Sequence, residues 1–372
     1  MTLAIFTLVQ HLESQGKYYG YAPYMREMDI WNSHFDGIIV VAPLSAIDDI
    51  DEITAPYAHP NVNLVKIPVF NVKSITGIFR LLLNLPSIVY KMFRVMRKAD
   101  HLHFRSPSNI SAIAALIQVF FPKKKKSMRY AGNWDPRSSQ PIGYRFQKKI
   151  FSSPIWSKNM TALVYGEWKN KTKNIRSFFA ATFSEDEKEE YSYRDYSKIL
   201  KFTFIGALVP GKQPLKAIKI IEGLNNRGLK CQLEIFGDGE LKPQIENYIE
   251  INSLSDIVYL NGNVSKEVIK QRLKQSHFNI LPSKSEGWPK SIAEGMFYGV
   301  IPIATKISCV PWMLKFGERG ILINDNIDDA VQEIYTAISS KDLNTMAGKA
   351  LSWSQEYTVE RQEEEIKDIL SI

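Results

Sequence analysis

The stretch S285-E-G-W-P-K-S-I-A-E-G-M-F-Y-G299, followed by V300-I-P-I-A304, joins a polar turn, a helical pattern and a short apolar strand. Two carboxylates, Glu286 and Glu294, stand eight positions apart within it. The turn Glu286-Gly287-Trp288-Pro289 predicts a helix starting at Pro289, since a proline there lacks only an amide that would have no partner anyway. Glu294 then lies about one and a half turns into the helix, with Glu286 at its mouth. The first helical amides between them turn a partial positive charge outward, a setting suited to the oxygens of a sugar or a phosphate. An exposed helix carrying two solvated glutamates is the plainer reading of such a pair.

Working outward, the same strand–turn–helix alternation runs through the chain. Strand-like runs fall at 3–9, 38–42, 62–68, 101–105, 127–131, 161–165 and 178–183, and a second series at 202–205, 232–236, 257–260, 278–281, 300–304 and 320–323. Two successive runs of βα units predict an α/β protein with two doubly wound parallel sheets, each covered by helices. The acidic stretch Ser184 to Glu190, followed by tyrosine-rich polar sequence to Lys198, marks the boundary. The expected domains are 1–184 and 200–357, with a last helix in 358–372 packing back on the first. A chain of 372 residues exceeds one ordinary core, and 45% hydrophobic content with 12% aromatics belongs to a folded protein.

Charge divides unevenly. Residues 1–200 hold 27 lysines and arginines against 17 carboxylates, a net of +10, and the remainder holds 20 against 22, a net of −2. The segment Ser74 to Lys98 mixes Ile78, Phe79, Leu81, Leu82, Leu83, Ile88, Val89, Met92, Phe93, Val95 and Met96 with Arg80, Lys91, Arg94, Arg97 and Lys98. It reads either as a basic amphipathic helix for an anionic bilayer surface or as helix packed on a sheet with a basic solvent face. The run Lys123 to Lys126 reads as a solvated turn, so nucleic acid is not an expected partner. No run reaches the roughly 18 apolar residues of a membrane span, and the opening L3-A-I-F-T-L-V9 reads as a first strand, not a signal peptide. With only Cys231 and Cys309, a reducing cytoplasm is the expected compartment.

Glu286, Gly287, Pro289, Glu294, Gly299 and the strand V300-I-P-I-A304 together resemble the E-x7-E signature of the retaining, nucleotide-sugar-dependent glycosyltransferases of family 4, which have the two-domain GT-B fold. The resemblance implies that Glu286 binds hydroxyls of the donor sugar, that the backbone of Gly287, Trp288, Pro289 and Lys290 approaches the sugar and phosphate, and that Glu294 holds the ribose diol. F204-I-G-A-L-V-P-G-K212 is similar to the family's G-R-L-x-x-x-K turn, in which two cations clamp the donor diphosphate. Here Gly206 and Lys212 match, but Ala207 takes the arginine position. Lys212 as a plain surface lysine is the alternative. F236-G-D-G-E240 is similar to the family's glycine turn, with Gly237, Asp238 and Gly239 letting the nucleotide approach.

The first domain is expected to supply the acceptor site. Gly16, Tyr18, Tyr19 and Gly20 lie where the family has a glycine-containing loop, and the tyrosines serve either to stack on sugar faces or to pack the loop. In D100-H-L-H-F-R105, His103 matches the first histidine of the family's D-x-x-H-x-H and Arg105 replaces the second. Arg105 is then expected to bind the diphosphate, making up for Ala207, or an acidic sugar. His103 alternates with Leu102 and Phe104, so a core histidine is its other reading. Trp134 and Asp135, in Gly132-Asn-Trp-Asp-Pro136, read as a sugar subsite or as a strand-ending turn.

The resemblance implies a hexosyltransferase-type enzyme that needs no cofactor beyond its nucleotide-sugar donor and no metal. The acceptor, a saccharide or lipid-linked saccharide of a surface polysaccharide, attacks from the face on which the diphosphate leaves. Catalytic weight falls on Glu286, Lys212 and Arg105. Asp49-Ile-Asp51, the one D-x-D, sits in an acid run and reads as surface loop. A nucleotide-sugar epimerase and a non-catalytic sugar-nucleotide-binding scaffold share these features, and the expected location is cytoplasmic, peripheral on the inner membrane face.

Overall fold

Short apolar strands of both series appear in the computed structural model, which describes residues 1–45, 54–68, 74–169 and 171–371. The chain forms two units: Met1–Gly132, Pro136–Phe178 and Glu363–Ile372 make the first, and Asn133–Asp135 with Phe179–Gln362 make the second.

In the first unit the elements run β1 (Thr2–Phe6), β2 (Leu12–Ser14), β3 (Lys17–Tyr21), α1 (Ala22–Asn32), β4 (Gly37–Pro43), β5 (Thr54–Pro56), β6 (Val62–Ile67), α2 (Ile75–Lys98), β7 (His101–Ser106), α3 (Asn109–Ile117), β8 (Lys125–Tyr130), α4 (Ile142–Phe151), β9 (Met160–Tyr165) and β10 (Ile175–Phe178). Seven strands pair in parallel in the order β10-β9-β8-β7-β1-β4-β6. Both faces of this sheet are covered, which is why β1 and β4 read as near-continuous apolar runs.

Helix α2 is held at its start by Ser74, whose hydroxyl accepts from the Gly77 amide at 3.1 Å. Its second half is buried through Ile88, Met92, Val95 and Met96, while Ile75, Phe79, Leu82 and Leu83 of the first half are exposed. The helix therefore packs on the sheet by one half and leaves an apolar stretch uncovered by the other.

The second unit runs β11 (Leu200–Ile205), α5 (Pro214–Asn226), β12 (Cys231–Phe236), α6 (Lys242–Ile251), β13 (Val258–Leu260), α7 (Lys266–Gln275), β14 (Phe278–Leu281), α8 (Lys290–Phe297), β15 (Ile301–Thr305), α9 (Val310–Met313), β16 (Ile321–Ile323), α10 (Ile327–Ser340), α11 (Leu343–Ser354) and α12 (Val359–Leu370). Its six parallel strands take the order β13-β12-β11-β14-β15-β16. The order reverses direction beside β11 and β14, so the carboxyl ends of these two strands form the switch point where such sheets hold ligands. Residues of α12 from Glu363 onward belong to the first unit, where Ile366 and Leu370 join Leu3, Trp31, Leu163 and Phe178 in one buried cluster.

Several expectations need correction. The strand expected at 178–183 lies earlier, at Ile175–Phe178, and Phe183 instead packs with Phe297 and Tyr298 in the second unit. The glycine-containing loop expected around Gly16 to Gly20 is a hairpin: β2 and β3 pair antiparallel, turn at Gln15 and Gly16 with positive φ, and continue to β5. The lysine run is not a solvated turn throughout. Lys125 and Lys126 lie in β8, and the buried Lys126 Nζ donates to the Gln118 carbonyl at 3.1 Å and its Oε1 at 2.8 Å. Desolvation lowers the Lys126 pKa to about 8. The acid run 48–52, with Asp49 and Asp51, lies outside the described residues.

Candidate functional site

Strand β11 delivers the chain to Gly206 and a turn that carries Lys212 just ahead of α5. Gln213 at the helix start takes a left-handed conformation, φ 54°, which lets the chain reverse before Pro214 occupies the first helical position. From the neighbouring strand β14, residues 282–289 rise alongside. The Lys284 amide donates to the Gly211 carbonyl at 2.9 Å, tying the two turns together. Across this tie the Lys212 ammonium donates to the Glu286 carboxylate at 2.6 Å. Glu286 is nearly buried, at 7% side-chain exposure, whereas Lys212 keeps 32%.

Helix α8 begins one residue later than its sequence suggests, with Pro289 as its cap and Lys290 as its first residue. The carbonyl of Pro289 takes the amides of Ile292 and Ala293. Gly295 lets the helix sit close on β14, where a Cβ would meet the Asn279 amide nitrogen at 2.9 Å. Glu294, partly buried, accepts from Thr182 Oγ1 at 2.9 Å. Desolvation raises its pKa from 4.5, opposed by the Thr182 hydrogen bond and by the charges of Lys290 and Lys266. Lys266 also donates to the Thr182 carbonyl at 3.2 Å and lies 4.8 Å from the Phe183 ring centroid. Thr182 and Lys266 escape a sequence reading because they sit far from the E-x7-E stretch in the chain.

The side chain of Trp288 points into the unit. It is buried in an aromatic cluster with Tyr357 at 5.8 Å, Trp353 at 6.2 Å, and Phe179 and Trp312 at 6.5 Å between ring centroids. Its side chain anchors the loop of Glu286 from beneath. Cys309 Sγ adds a contact to the Gly287 carbonyl at 3.1 Å, and Thr305 Oγ1 donates to the Ser283 carbonyl at 2.5 Å. The loop is thus pinned on three sides, which suits a site that must present a carboxylate in fixed geometry.

Gly237 and Gly239 answer to the protein's own backbone. Leu208 N–H donates to the Asp238 carbonyl at 2.9 Å and Leu241 N–H to the Leu208 carbonyl at 2.9 Å. A Cβ on Gly237 would fall 2.1 Å from the Gly206 carbonyl oxygen, and one on Gly239 would fall 2.7 Å from that of Leu208. The glycine turn is therefore set by its close approach to the 206–208 turn. Asp238 is half-exposed, with its carboxylate accepting from its neighbour Gly239's amide at 2.7 Å and pairing with Lys242 at 3.4 Å.

In the first unit Arg105 is already engaged. Its guanidinium donates to both Glu27 oxygens, at 2.5 and 3.3 Å, and Arg129 Nε pairs with the same carboxylate at 2.7 Å. Tyr24 lies 5.4 Å below Arg105, while Tyr165 and Phe178 face Arg129 at 5.2 and 4.7 Å. Arg105 belongs to a buried Arg–Glu–Arg set, not to an open cation; an arginine inside the strand M128-R-Y-A131 was the signal for its second member. His103 is a core histidine: fully buried, it meets Ser127 Oγ at 2.8 Å and Trp31 at 4.5 Å. Desolvation, with Arg105 and His101 adding to it, holds its pKa well below 6.5 and its ring neutral.

The remaining residues divide. Gly16 is exposed at the hairpin tip, Tyr18 and Tyr19 are half-buried on β3, and buried Gly20 leaves room for Met25 Sδ. Asp135 N–H donates to Asn133 Oδ1 at 2.8 Å, which is the strand-ending turn, and Trp134 is buried. Both cysteines are free and buried, their thiols pushed up to about 12 by desolvation. Among the described residues no helix is long and apolar enough to cross a membrane, and no group of three or more His, Cys, Asp or Glu side chains could hold a metal ion.

Comparison with known proteins agrees with this arrangement. Residues 185–351 match the family model described as glycosyl transferases group 1. An uncharacterized glycosyltransferase of Methanocaldococcus jannaschii is 29% identical over 173 residues, 44% of this chain and 47% of its own length. The UDP-Gal:alpha-D-GlcNAc-diphosphoundecaprenol alpha-1,3-galactosyltransferase of Escherichia coli is 34% identical over 152 residues, 39% of this chain and 38% of that protein. The chain thus spans less than half the length of these curated relatives. Among solved structures, Anabaena HepE in complex with UDP and glucose aligns with a TM-score of 0.68 at 16% identity, covering 100% of this chain and 99% of that one. Sucrose-phosphate synthase from Thermosynechococcus elongatus aligns at 0.67 and 13% identity, covering 100% and 98%. Together with the two parallel sheets, the likeness to these solved structures gives the chain the GT-B fold, and its residues 185–351 are similar to the group 1 glycosyl transferases.

Proposed function

We propose that this protein is a glycosyltransferase that moves a sugar from a nucleoside-diphosphate donor to a saccharide or lipid-linked saccharide acceptor in polysaccharide biosynthesis. The observation that carries the reading is the meeting of Lys212 and Glu286 at the switch point of the second sheet, with Glu294 eight residues on in α8. The three groups suit the three parts of one ligand. The ammonium suits the diphosphate, the near-buried carboxylate the sugar hydroxyls, and the α8 carboxylate the ribose diol. Relatives with printed activities support the class, since the E. coli relative is named for a UDP-sugar donor and a diphosphoundecaprenol-linked acceptor.

In the proposed reaction, the acceptor oxygen forms a bond to the anomeric carbon as the bond from that carbon to the diphosphate oxygen breaks. The acceptor proton passes to a phosphate oxygen on the same face, so configuration is retained. Lys212 and helix-terminal amides stabilise the departing charge, with neither metal nor further cofactor in the scheme. Glu286 plays no proton-transfer part. It orients the sugar and, before the donor arrives, holds Lys212 in place. Because Arg105 is held by Glu27, which it shares with Arg129, the scheme gives it no part in replacing the cation missing at Ala207. The cytoplasmic membrane face is the proposed place of work.

Thermal shift of the purified chain against UDP, GDP and ADP tests the donor site, with Glu294→Ala alongside. A bound nucleotide at about 100 times its Kd adds roughly 2.7 kcal/mol. One nucleotide is expected to stabilise the wild type and not the variant; no shift with any of them overturns the reading. The anomeric configuration of the product, read by NMR, decides between retention and inversion.

A further inference from the structure

On the face of the first sheet that carries α3 and α4, an apolar groove of about 590 Å³ is lined by Leu116, Val119, Phe120, Phe146, Ile150 and Trp156. It is not a covered core. Phe120 is 75% exposed, Trp156 60%, and Ile155 on the same turn 77%. The two segments that bear these side chains are fixed to each other, because the Gln118 amide donates to the Trp156 carbonyl at 3.2 Å and Ser157 Oγ at 2.9 Å. The exposed rings are therefore held in place and do not float on a loose loop.

The same two segments, a residue or two further on, form the wall of a second concavity of about 890 Å³. Its cations are Lys123, Lys125, Lys126, Lys158, Lys173 and Arg176. Three of them are spoken for: Lys126 by Gln118, Lys125 by the Leu370 carbonyl at 3.0 Å, and Arg176 by Glu365 and Asp368. Lys123, Lys158 and Lys173 have no carboxylate partner among the described residues. The bias is regional, since residues 74–158 carry sixteen lysines and arginines against two carboxylates, Asp100 and Asp135.

We propose that this apolar groove and the cationic concavity beside it form one docking site for an anionic phospholipid bilayer, with Phe120, Ile155 and Trp156 entering the acyl layer and Lys123, Lys158 and Lys173 meeting the lipid phosphates. A second copy of the chain is a poor occupant, because the patch would bring like charges together. Nucleic acid would use the lysines but leave the aliphatic and aromatic rim in water. A bilayer interface takes both halves, apolar groups on one side of the headgroup plane and cations at it. The inference rests on the proposed membrane-face function for its biological sense, but its chemistry stands in the first unit alone.

Flotation of the full chain with vesicles of phosphatidylcholine, alone or mixed with phosphatidylglycerol, tests it at low and high salt. The wild type is expected to float with the anionic vesicles only, and less at high salt. The triple variant Lys123→Glu, Lys158→Glu, Lys173→Glu should bind at least about 100-fold more weakly, and Phe120→Ser or Trp156→Ser about tenfold or more. Failure of the wild type to float, or flotation indifferent to both sets of variants, overturns the proposal. So does loss of flotation only with Phe79→Ser and Leu82→Ser, which would place the contact on α2, or concentration-dependent dimerisation or RNA binding abolished by the same variants without vesicle binding. Nucleotide thermal shift on every variant reports folding and the donor site separately, so that a failed docking site and a failed donor site give different results.

Discussion

Lys212 Nζ and Glu286 Oε1 lie 2.6 Å apart, joining the turn after β11 to the turn after β14. The pair holds both groups in readiness, and a donor would divide them between its phosphate and its sugar. Lys212→Ala is accordingly expected to lower kcat with about 3–4 kcal/mol of lost transition-state stabilisation, leaving the KM for acceptor near its original value. Steady-state kinetics with acceptor varied at saturating donor checks this; an unchanged kcat would remove Lys212 from the proposed chemistry.

Glu294 binds its proton more tightly in the folded chain than in the unfolded one, because burial disfavours its charge. Ionising it as pH climbs above 4.5 therefore costs stability, and this cost is absent at more acidic pH, where both states are protonated. Glu294→Gln should hold or raise the midpoint of unfolding at neutral pH while abolishing nucleotide-induced stabilisation. In the wild type, nucleotide affinity should weaken as pH falls through the raised pKa. Titration calorimetry across that range reads it, and a variant that still binds nucleotide fully would show that the ribose is held elsewhere.

Gly237→Ala would drive a methyl group into the Gly206 carbonyl at a φ of +143°. A loss of about 2 kcal/mol or more is expected in urea unfolding. Gly211→Ala is the matched control, since nothing lies within 4 Å of its added Cβ, and it should stay within about 0.5 kcal/mol of wild type.

Glu27 holds two guanidiniums at once, Arg105 and Arg129, in buried surroundings. Glu27→Gln leaves both without a counter-charge and is expected to destabilise the protein by about 3–5 kcal/mol. Differential scanning calorimetry is the appropriate measure, because the loss should appear in the first unit. Nucleotide binding by any protein that remains folded should be unaffected.

Much of the fold was legible because strands buried on both faces carry mostly apolar runs, as in Phe202 to Ile205, Phe278 to Leu281 and Ile301 to Ala304. The hairpin of β2 and β3 was not, since its strands are short, polar and half-exposed. The apolar run Phe178 to Phe183 misled in the other direction: its aromatic residues are buried, but only the first of them is in a strand. In the candidate site, Lys212 and Glu286 were each visible by position, and they meet. Arg105 was visible as a cation but not as a spent one, because Glu27 lies 78 residues away and no local pattern couples them. The surroundings of the Trp288 side chain were not legible either, because the four rings that enclose it come from distant parts of the chain.

Synthesis on the ribosome meets one feature of this chain in an awkward order. The first unit draws Ile366 and Leu370 of α12 into the same cluster as Leu3 and Trp31, so its core lacks members until α12 emerges. At about 5–20 residues per second, the interval between the completion of β10 and the arrival of α12 is roughly 10–40 seconds. Throughout that interval the nascent first unit carries an open apolar seam where α12 will sit, while the second unit has its whole sheet to fold. Helix α12 is thus the closing stitch of the first unit, and chaperone demand in the cell should track the time taken to reach it.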